Sequence, residues 1–209
     1  MKDSILNRRM RYTYTHVTET LIIINVLVFL LTEFIYPKSV YYLAMIPSFV
    51  LHGYVWQLFT YMFVHGGFSH ILFNMLGLYI FGSMVERRIG SKEFLLFYLL
   101  TGTLSGVFSF VAYLLAGTNV VLLGASGALY AVMLLFSVLY PYAVVYVFGL
   151  LPIRAPLLVV IYFLFELFSQ MSGANGGASH LTHLGGLLFA YIYCLIRLRL
   201  NPLQEWRRR

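Results

Sequence analysis

The amino-acid sequence predicts an all-α, polytopic membrane protein with six transmembrane helices, and three observations predict this class. Of the 209 residues, 61% are hydrophobic and only 10% are charged, with a mean hydropathy of +0.84; water-soluble domains carry about 25% charged residues. Six apolar segments have about the length of 20 residues that a helix needs to cross the hydrocarbon layer. The basic residues lie almost entirely in the predicted connections on one side.

Each predicted span is a continuous apolar run bounded by polar or turn-forming residues. The six runs lie at about 17–36, 68–86, 94–115, 122–140, 155–171 and 179–199. The apolar stretch 141–154 is bracketed by prolines, so we expect it to lie in the membrane interface rather than to cross it. The predicted organisation is a polar N-terminal segment (1–16), a six-span membrane domain (17–199) and a basic tail (200–209).

The lysines and arginines predict the orientation of the spans. Thirteen of the fourteen fall on one side: Lys2, Arg8, Arg9, Arg11, Arg87, Arg88, Lys92, Arg154, Arg197, Arg199, Arg207, Arg208 and Arg209. Only Lys38 falls on the other side, so the positive-inside rule predicts that both termini are cytoplasmic. Because topology accounts for the net charge of +7, we expect no nucleic-acid partner. The single cysteine, Cys194, excludes an intramolecular disulfide.

Polar residues within the spans are the candidate functional residues, because polar groups inside a bilayer are costly. Ser126 lies between Gly124 and Gly127 at the start of the fourth span, and Gly124 allows a sharp turn into that helix. His70 and Asn74 are four residues apart, so they share one face of the second span at a similar depth. These donors could simply hold helices together, but the shared face favours a functional role.

Small residues predict which spans meet. In the sixth span His183 precedes Gly186 and Ala190, a small-xxx-small pattern that allows close helix approach. The fourth span carries a matching pattern at Gly127 and Ala131. If these two faces meet, the serine and the histidine lie side by side; the alternative is that both patterns serve packing only.

These residues provide the parts of a serine hydrolase. A serine attacks a carbonyl only when a base takes its proton, and His183 would be that base before protonating the leaving amine. His70, Asn74 and the backbone N–H of Ser126 would stabilise the oxyanion. Tyr130, one turn after the serine, is placed to pack on the imidazole. This chemistry needs no cofactor.

Two further possibilities stay open at this stage. Glu166, in the fifth span, could orient the histidine as a third catalytic member or hold a structural hydrogen bond, and we favour the structural role. His180 and His183, with His65 and His70, could bind zinc. However, there is no HExxH motif, and no carboxylate or thiol lies close in sequence to the histidine pairs. We therefore expect no metal.

The motifs resemble those of the rhomboid intramembrane serine proteases. GASG at 124–127 is similar to the family's GxSG, HxxxN at 70–74 to its second-span motif, and HLGG at 183–186 to its sixth-span motif. The resemblance extends from about Trp56 to Ala190 and includes ERR at 86–88. The sequence departs from the family's pattern in two places. Glutamine follows Trp56 where the family often has arginine, and Ala190 stands where many members have a second glycine.

The resemblance implies a Ser-His dyad, with Ser126 as the nucleophile and His183 as the base, and an oxyanion hole formed by His70, Asn74 and the serine N–H. It further implies a compact bacterial form in the inner membrane, with the active site open to the outer side. Implied partners are the lipid bilayer and transmembrane protein substrates, cleaved near the outer end of their span. The fifth span and the loop 172–178 would serve as lateral gate and cap.

Two other functions remain as alternatives. An inactive rhomboid-like protein that binds membrane clients is the nearer one, and the presence of both Ser126 and His183 argues against it. A transporter or metal permease would need a polar path through the whole bilayer. The polar residues instead cluster in the outer halves of the predicted spans.

Overall fold

A computed structural model describes residues 10–147, 149–172 and 178–207, which form a helical bundle with one small hairpin. The α-helices are α1 (Val17–Leu30), α2 (Val40–Leu43), α3 (Pro47–Leu51), α4 (Gln57–Thr60), α5 (Phe68–Gly77), α6 (Ser83–Ile89), α7 (Ser91–Leu115), α8 (Ser126–Leu139), α9 (Ala155–Ser172), α10 (Ala178–Tyr193) and α11 (Pro202–Arg207). The strands are β1 (Val144–Val147) and β2 (Leu151–Arg154). Short π-helical segments extend α1, α5 and α10, at Leu31–Ile35, Leu78–Gly82 and Cys194–Leu198.

Five helical segments of the described chain are long and apolar enough to cross a membrane. They are Val17–Ile35, Phe68–Ile89, Ser91–Leu115, Ala155–Ser172 and Ser179–Leu198. The sixth apolar helix, α8, is shorter. The predicted all-α membrane bundle is therefore confirmed, and the protein is a multi-pass membrane protein.

The fourth span begins later than predicted. Residues 122–125 are not helical: the backbones of Leu122 and Met45 exchange two hydrogen bonds of 2.9 Å, and the Gly124 N–H donates to the Tyr61 carbonyl at 3.0 Å. Helix α8 starts only at Ser126. The predicted start at residue 122 was wrong because Leu122 and Gly124 pair with the first connection, which links the first two spans. Hydropathy does not distinguish such a buried extended segment from a helix.

Helix α8 is the centre of the bundle. Its 14 residues span about 21 Å, less than the roughly 30 Å of hydrocarbon. Eleven of them are buried: Gly127, Ala128, Leu129, Ala131, Val132, Met133, Leu134, Leu135, Phe136, Ser137 and Val138. Helices α6, α7, α9 and α10 all contact it. Because protein rather than lipid surrounds α8, a short helix is tolerated at membrane depth.

Within the stretch 141–154, two strands form a hairpin that was not predicted from the sequence. Strands β1 and β2 pair antiparallel, with Val144 opposite Arg154 and Val147 opposite Leu151. Pro152 is accommodated because both strands of a two-stranded sheet are edge strands. The segment connects α8 to α9 without forming a further span.

Two buried carboxylates fix the end of the bundle opposite Ser126. Glu86 accepts hydrogen bonds from the N–H groups of Val17 and Thr18, at 2.8 Å each, and so caps the start of α1. Glu93 accepts a hydrogen bond from Tyr193. It also forms a bidentate ion pair with Arg197, in which both N–O distances are 2.9 Å. These contacts join α6 to the start of α1, and α7 to the end of the last span.

Candidate active site

Ser126 and His183 lie side by side. The serine is the first residue of α8, and the histidine lies in the second turn of α10. Its Nε2 is 2.7 Å from the serine Oγ, a hydrogen-bond distance. Gly124 makes the turn into α8 with φ +121°, a conformation that favours glycine, and a Cβ there would lie 2.8 Å from the His70 Nε2.

The small residues identified in the sequence lie where α8 and α10 cross. A Cβ at Gly186 would collide with the carbonyl oxygen of Gly127 and lie 3.5 Å from the Ala131 nitrogen. A Cβ at Gly127 would lie only 2.7 Å from the Thr182 side chain. Ala190, one turn further along α10, is fully buried. The two helices therefore meet backbone to backbone, and this approach sets the spacing between the serine and the histidine.

Tyr130 fixes the plane of the histidine ring. The two rings stack with centroids 4.3 Å apart and an interplanar angle of 4°. Tyr130 lies one turn after Ser126 on α8, so the same short helix positions both the serine and the tyrosine ring that stacks on His183. The stacking holds the plane of the His183 ring, and within that plane Nε2 faces the serine.

His70 and Asn74 line the same cavity as the serine. This cavity has a volume of about 330 Å³ and is lined by His70, Asn74, Val121, Leu122, Leu123, Ser126, Ser179 and His183. The His70 Nδ1 accepts a 3.4 Å hydrogen bond from the Gly66 N–H, which leaves Nε2 as the ring's donor. Asn74 donates one N–H to the His70 carbonyl at 2.8 Å and keeps a second N–H free to donate.

His65 supports the turn that precedes the serine. Its side chain is buried, and its Nε2 accepts a 3.4 Å hydrogen bond from the Ala125 N–H. Burial, together with the neighbouring His70, lowers the pKa of His65 to about 4. The ring is therefore neutral at physiological pH and keeps a lone pair for the amide. The sequence alone gave His65 no such role.

Glu166 is the residue whose surroundings differ most from expectation. It is buried, with 2% of its surface exposed, and it accepts hydrogen bonds from the Tyr130 hydroxyl and the His180 Nδ1. Its Oε1 is also 2.9 Å from the His183 Nδ1, although that N–H does not point directly at the oxygen. The folded chain thus brings a carboxylate to the histidine pair, which has none nearby in sequence.

The same three side chains are the candidate metal ligands of the described residues. Glu166, His180 and His183 offer ligand atoms within 4.8 Å of one another. In a tetrahedral zinc site with bonds of 2.0–2.1 Å, neighbouring ligand atoms are about 3.3 Å apart. Here the carboxylate lies closer than that to both imidazoles. The spacing fits a hydrogen-bonded cluster better than a zinc site.

The family model and the similar proteins found by comparison all belong to the same family. The rhomboid domain model matches residues 52–200. RHOMBOID-like protein 12, mitochondrial, of Arabidopsis thaliana is 36% identical over 155 residues, which cover 67% of this chain and 46% of that protein. Rhomboid protease GlpG of Haemophilus influenzae is 30% identical over 118 residues, which cover 56% of this chain and 59% of that protein.

A third relative, rhomboid protease GluP of Bacillus subtilis, is 40% identical over 84 residues, covering 39% of this chain and 17% of that protein. The chain spans about half the length of the curated relatives that it matches over most of its own length. The matched region 52–200 extends from the first connection through the last span, and it includes every residue of the cavity described above. The chain therefore belongs to the rhomboid family.

Proposed function

We propose that this protein is an intramembrane serine endopeptidase with a catalytic pair formed by Ser126 and His183. The observation that carries the proposal is the 2.7 Å contact between the serine Oγ and the histidine Nε2. The pair opens into a cavity with further polar donors at membrane depth. Such groups are tolerated there when they face a water-accessible space, and hydrolysis needs that water.

The reaction begins with proton transfer. As the Ser126 Oγ attacks the substrate carbonyl carbon, its proton passes to the His183 Nε2. The resulting tetrahedral intermediate collapses when the histidine returns this proton to the leaving amine, and an acyl ester on the serine remains. A water molecule then attacks the ester, again giving its proton to Nε2. Collapse of the second intermediate returns that proton to the serine and releases the new carboxyl end.

Three donors would stabilise the negative oxygen of both intermediates. These donors are the His70 Nε2–H, the second N–H of Asn74 and the backbone N–H of Ser126. The first N–H groups of a helix have no partner within the helix, so the serine amide at the start of α8 is available. Preorganised donors are effective because they need no reorganisation during the reaction.

The proposed substrates are transmembrane proteins, and the proposed location is the bacterial inner membrane. The distribution of basic residues supports cytoplasmic termini, which would open the cavity to the outer side. Helix α9 would form the lateral gate. It contacts α8 and α10 on one face and exposes large apolar residues elsewhere: Leu157, Ile161, Leu164, Phe165 and Phe168. Most of the expected cap, 173–177, lies outside the described residues.

The proposal is tested by labelling with a fluorophosphonate, which reacts only with an activated serine. We expect the detergent-solubilised wild type to be labelled and to cleave a single-span model substrate, and Ser126→Ala to do neither. The matched control is Ser137→Ala in the same helix. Ser137 is buried and donates to the Leu134 carbonyl at 2.7 Å, away from the cavity. Equal labelling of wild type and Ser126→Ala would refute the protease and favour an inactive, client-binding protein.

Replacement of Asn74 by alanine is expected to lower kcat by about 10²–10³-fold with little change in KM, because one oxyanion donor is lost. Asn25→Ala is the matched control. Asn25 is also buried and also donates to the carbonyl four residues earlier, at 2.8 Å, but it lies in α1. If both variants lose activity only in proportion to lost folded protein, Asn74 has no part in the reaction.

A further inference from the structure

The geometry points to a third member of the catalytic group: we infer that Glu166 is a positioning residue, which orients His183 and balances the positive charge that it gains during catalysis. The inference rests on the proposed function and extends it, since two residues were expected to suffice. The site would then be a Ser-His-Glu triad assembled from three separate helices, α8, α10 and α9.

The first support is the position of the carboxylate. The His183 Nε2 faces the serine at 2.7 Å, and its Nδ1 is 2.9 Å from the Glu166 Oε1. A carboxylate accepts hydrogen bonds and donates none, so a proton on Nδ1 is favoured. Nε2 is then left as an acceptor for the serine proton, which is the tautomer that the reaction needs.

The second support is that neighbouring groups hold the carboxylate in place. The Tyr130 hydroxyl donates to Oε1 and the His180 Nδ1 donates to Oε2, so both oxygens are engaged. Tyr130 also stacks on the His183 ring. One tyrosine therefore contacts both the base and the carboxylate behind it. His180, one turn before His183 on α10, therefore holds the second oxygen of the carboxylate.

The third support is electrostatic. When the serine proton reaches Nε2, His183 becomes an imidazolium ion with 12% of its side chain exposed. An uncompensated charge in such surroundings is costly, and Glu166, whose side chain is 3% exposed, is the adjacent carboxylate. The carboxylate keeps its charge throughout and takes no proton. The His183 Nδ1–H does not point directly at the carboxylate in this arrangement, and catalytic hydrogen bonds are often poorly aligned until substrate binds.

The test separates an orienting role from a purely structural one. We expect Glu166→Gln to lower kcat and the rate of fluorophosphonate labelling by about 10²–10⁴-fold, with KM nearly unchanged, as when the carboxylate of other serine-protease triads is removed. Glu166→Asp keeps the charge and is expected to retain at least about tenfold more activity than the glutamine variant. All rates are measured per folded molecule after size-exclusion chromatography.

Glu93→Gln is the matched control, because Glu93 is also a buried carboxylate that accepts from a tyrosine, but at the opposite end of the bundle. Its labelling rate per folded molecule should equal that of the wild type. Should Glu166→Gln fail to fold, Glu166→Asp alone decides: a fall in kcat of about tenfold at unchanged KM supports the inference, and wild-type kcat overturns it.

A Glu166→Gln variant that folds and retains kcat within about tenfold of the wild type overturns the inference. Ser126→Ala, measured in parallel, identifies which proposal has failed. If Ser126→Ala is inactive while Glu166→Gln is fully active, the Ser-His protease stands and only the triad falls. If Ser126→Ala is labelled like the wild type, the proposed function fails, and the triad falls with it.

Discussion

The variant His183→Ala is expected to lose about 10⁶-fold in kcat, as much as Ser126→Ala loses, and the double variant should lose no more than either single one. The reason is that the two side chains act as one unit: without the imidazole at 2.7 Å, the serine hydroxyl keeps its proton. The oxyanion donors remain in all three variants and supply whatever rate persists.

Cleavage of a single-span substrate is measured with enzyme in excess and long incubation, so that slow rates are visible. His52→Ala is the control, since His52 is exposed in the first connection and its Nδ1 contacts the Ser48 carbonyl at 2.7 Å. A His183→Ala protein that keeps more than about a hundredth of the wild-type kcat would show that another group acts as the base.

Gly186→Ala is expected to be unusually damaging for the addition of one methyl group. The new Cβ would collide with the Gly127 carbonyl oxygen, and a backbone atom cannot rotate away as a side chain can. Overpacking of this kind costs about 1–3 kcal/mol of stability. The helices must also separate, and a misplacement of about 1 Å at a catalytic pair lowers the rate by roughly 10²-fold.

Gly77→Ala provides the comparison for this substitution. Gly77 is also helical, and a Cβ there would lie 2.9 Å from a terminal methyl of Leu129, which can change rotamer. Thermal unfolding in detergent and fluorophosphonate labelling are recorded for both variants. We expect Gly77→Ala to remain close to the wild type in both measurements. Equal behaviour of the two variants would mean that the backbone contact between α8 and α10 does not set the catalytic spacing.

Local patterns in the sequence predicted much of this arrangement. Hydropathy located the long spans, because each is a continuous apolar run that crosses the membrane by itself. The four-residue spacings predicted which helix faces carry small residues and which carry polar residues, because an α-helix has 3.6 residues per turn. His70 with Asn74, and Gly186 with Ala190, lie on their helices as that periodicity requires.

Features that depend on distant parts of the chain were not predicted. The late start of α8 depends on pairing between Leu122 and Met45, 77 positions apart in sequence by their residue numbers. The hairpin at 144–154 was obscured by its apolar composition. The contact of Glu166 with His183 depends on how α9 packs against α10, which no local period encodes.

The late start of α8 also has an electrostatic consequence. The aligned peptide dipoles of a helix place about half a positive charge at its N-terminus, and Ser126 with its hydroxyl group lies at this end of α8. Helix α10 also begins close by, so its first turns add a field of the same sign. The combined field favours an anionic oxygen and opposes a cationic ring. In the proposed mechanism, the negative charge of the buried Glu166 would offset this unfavourable effect on a protonated His183.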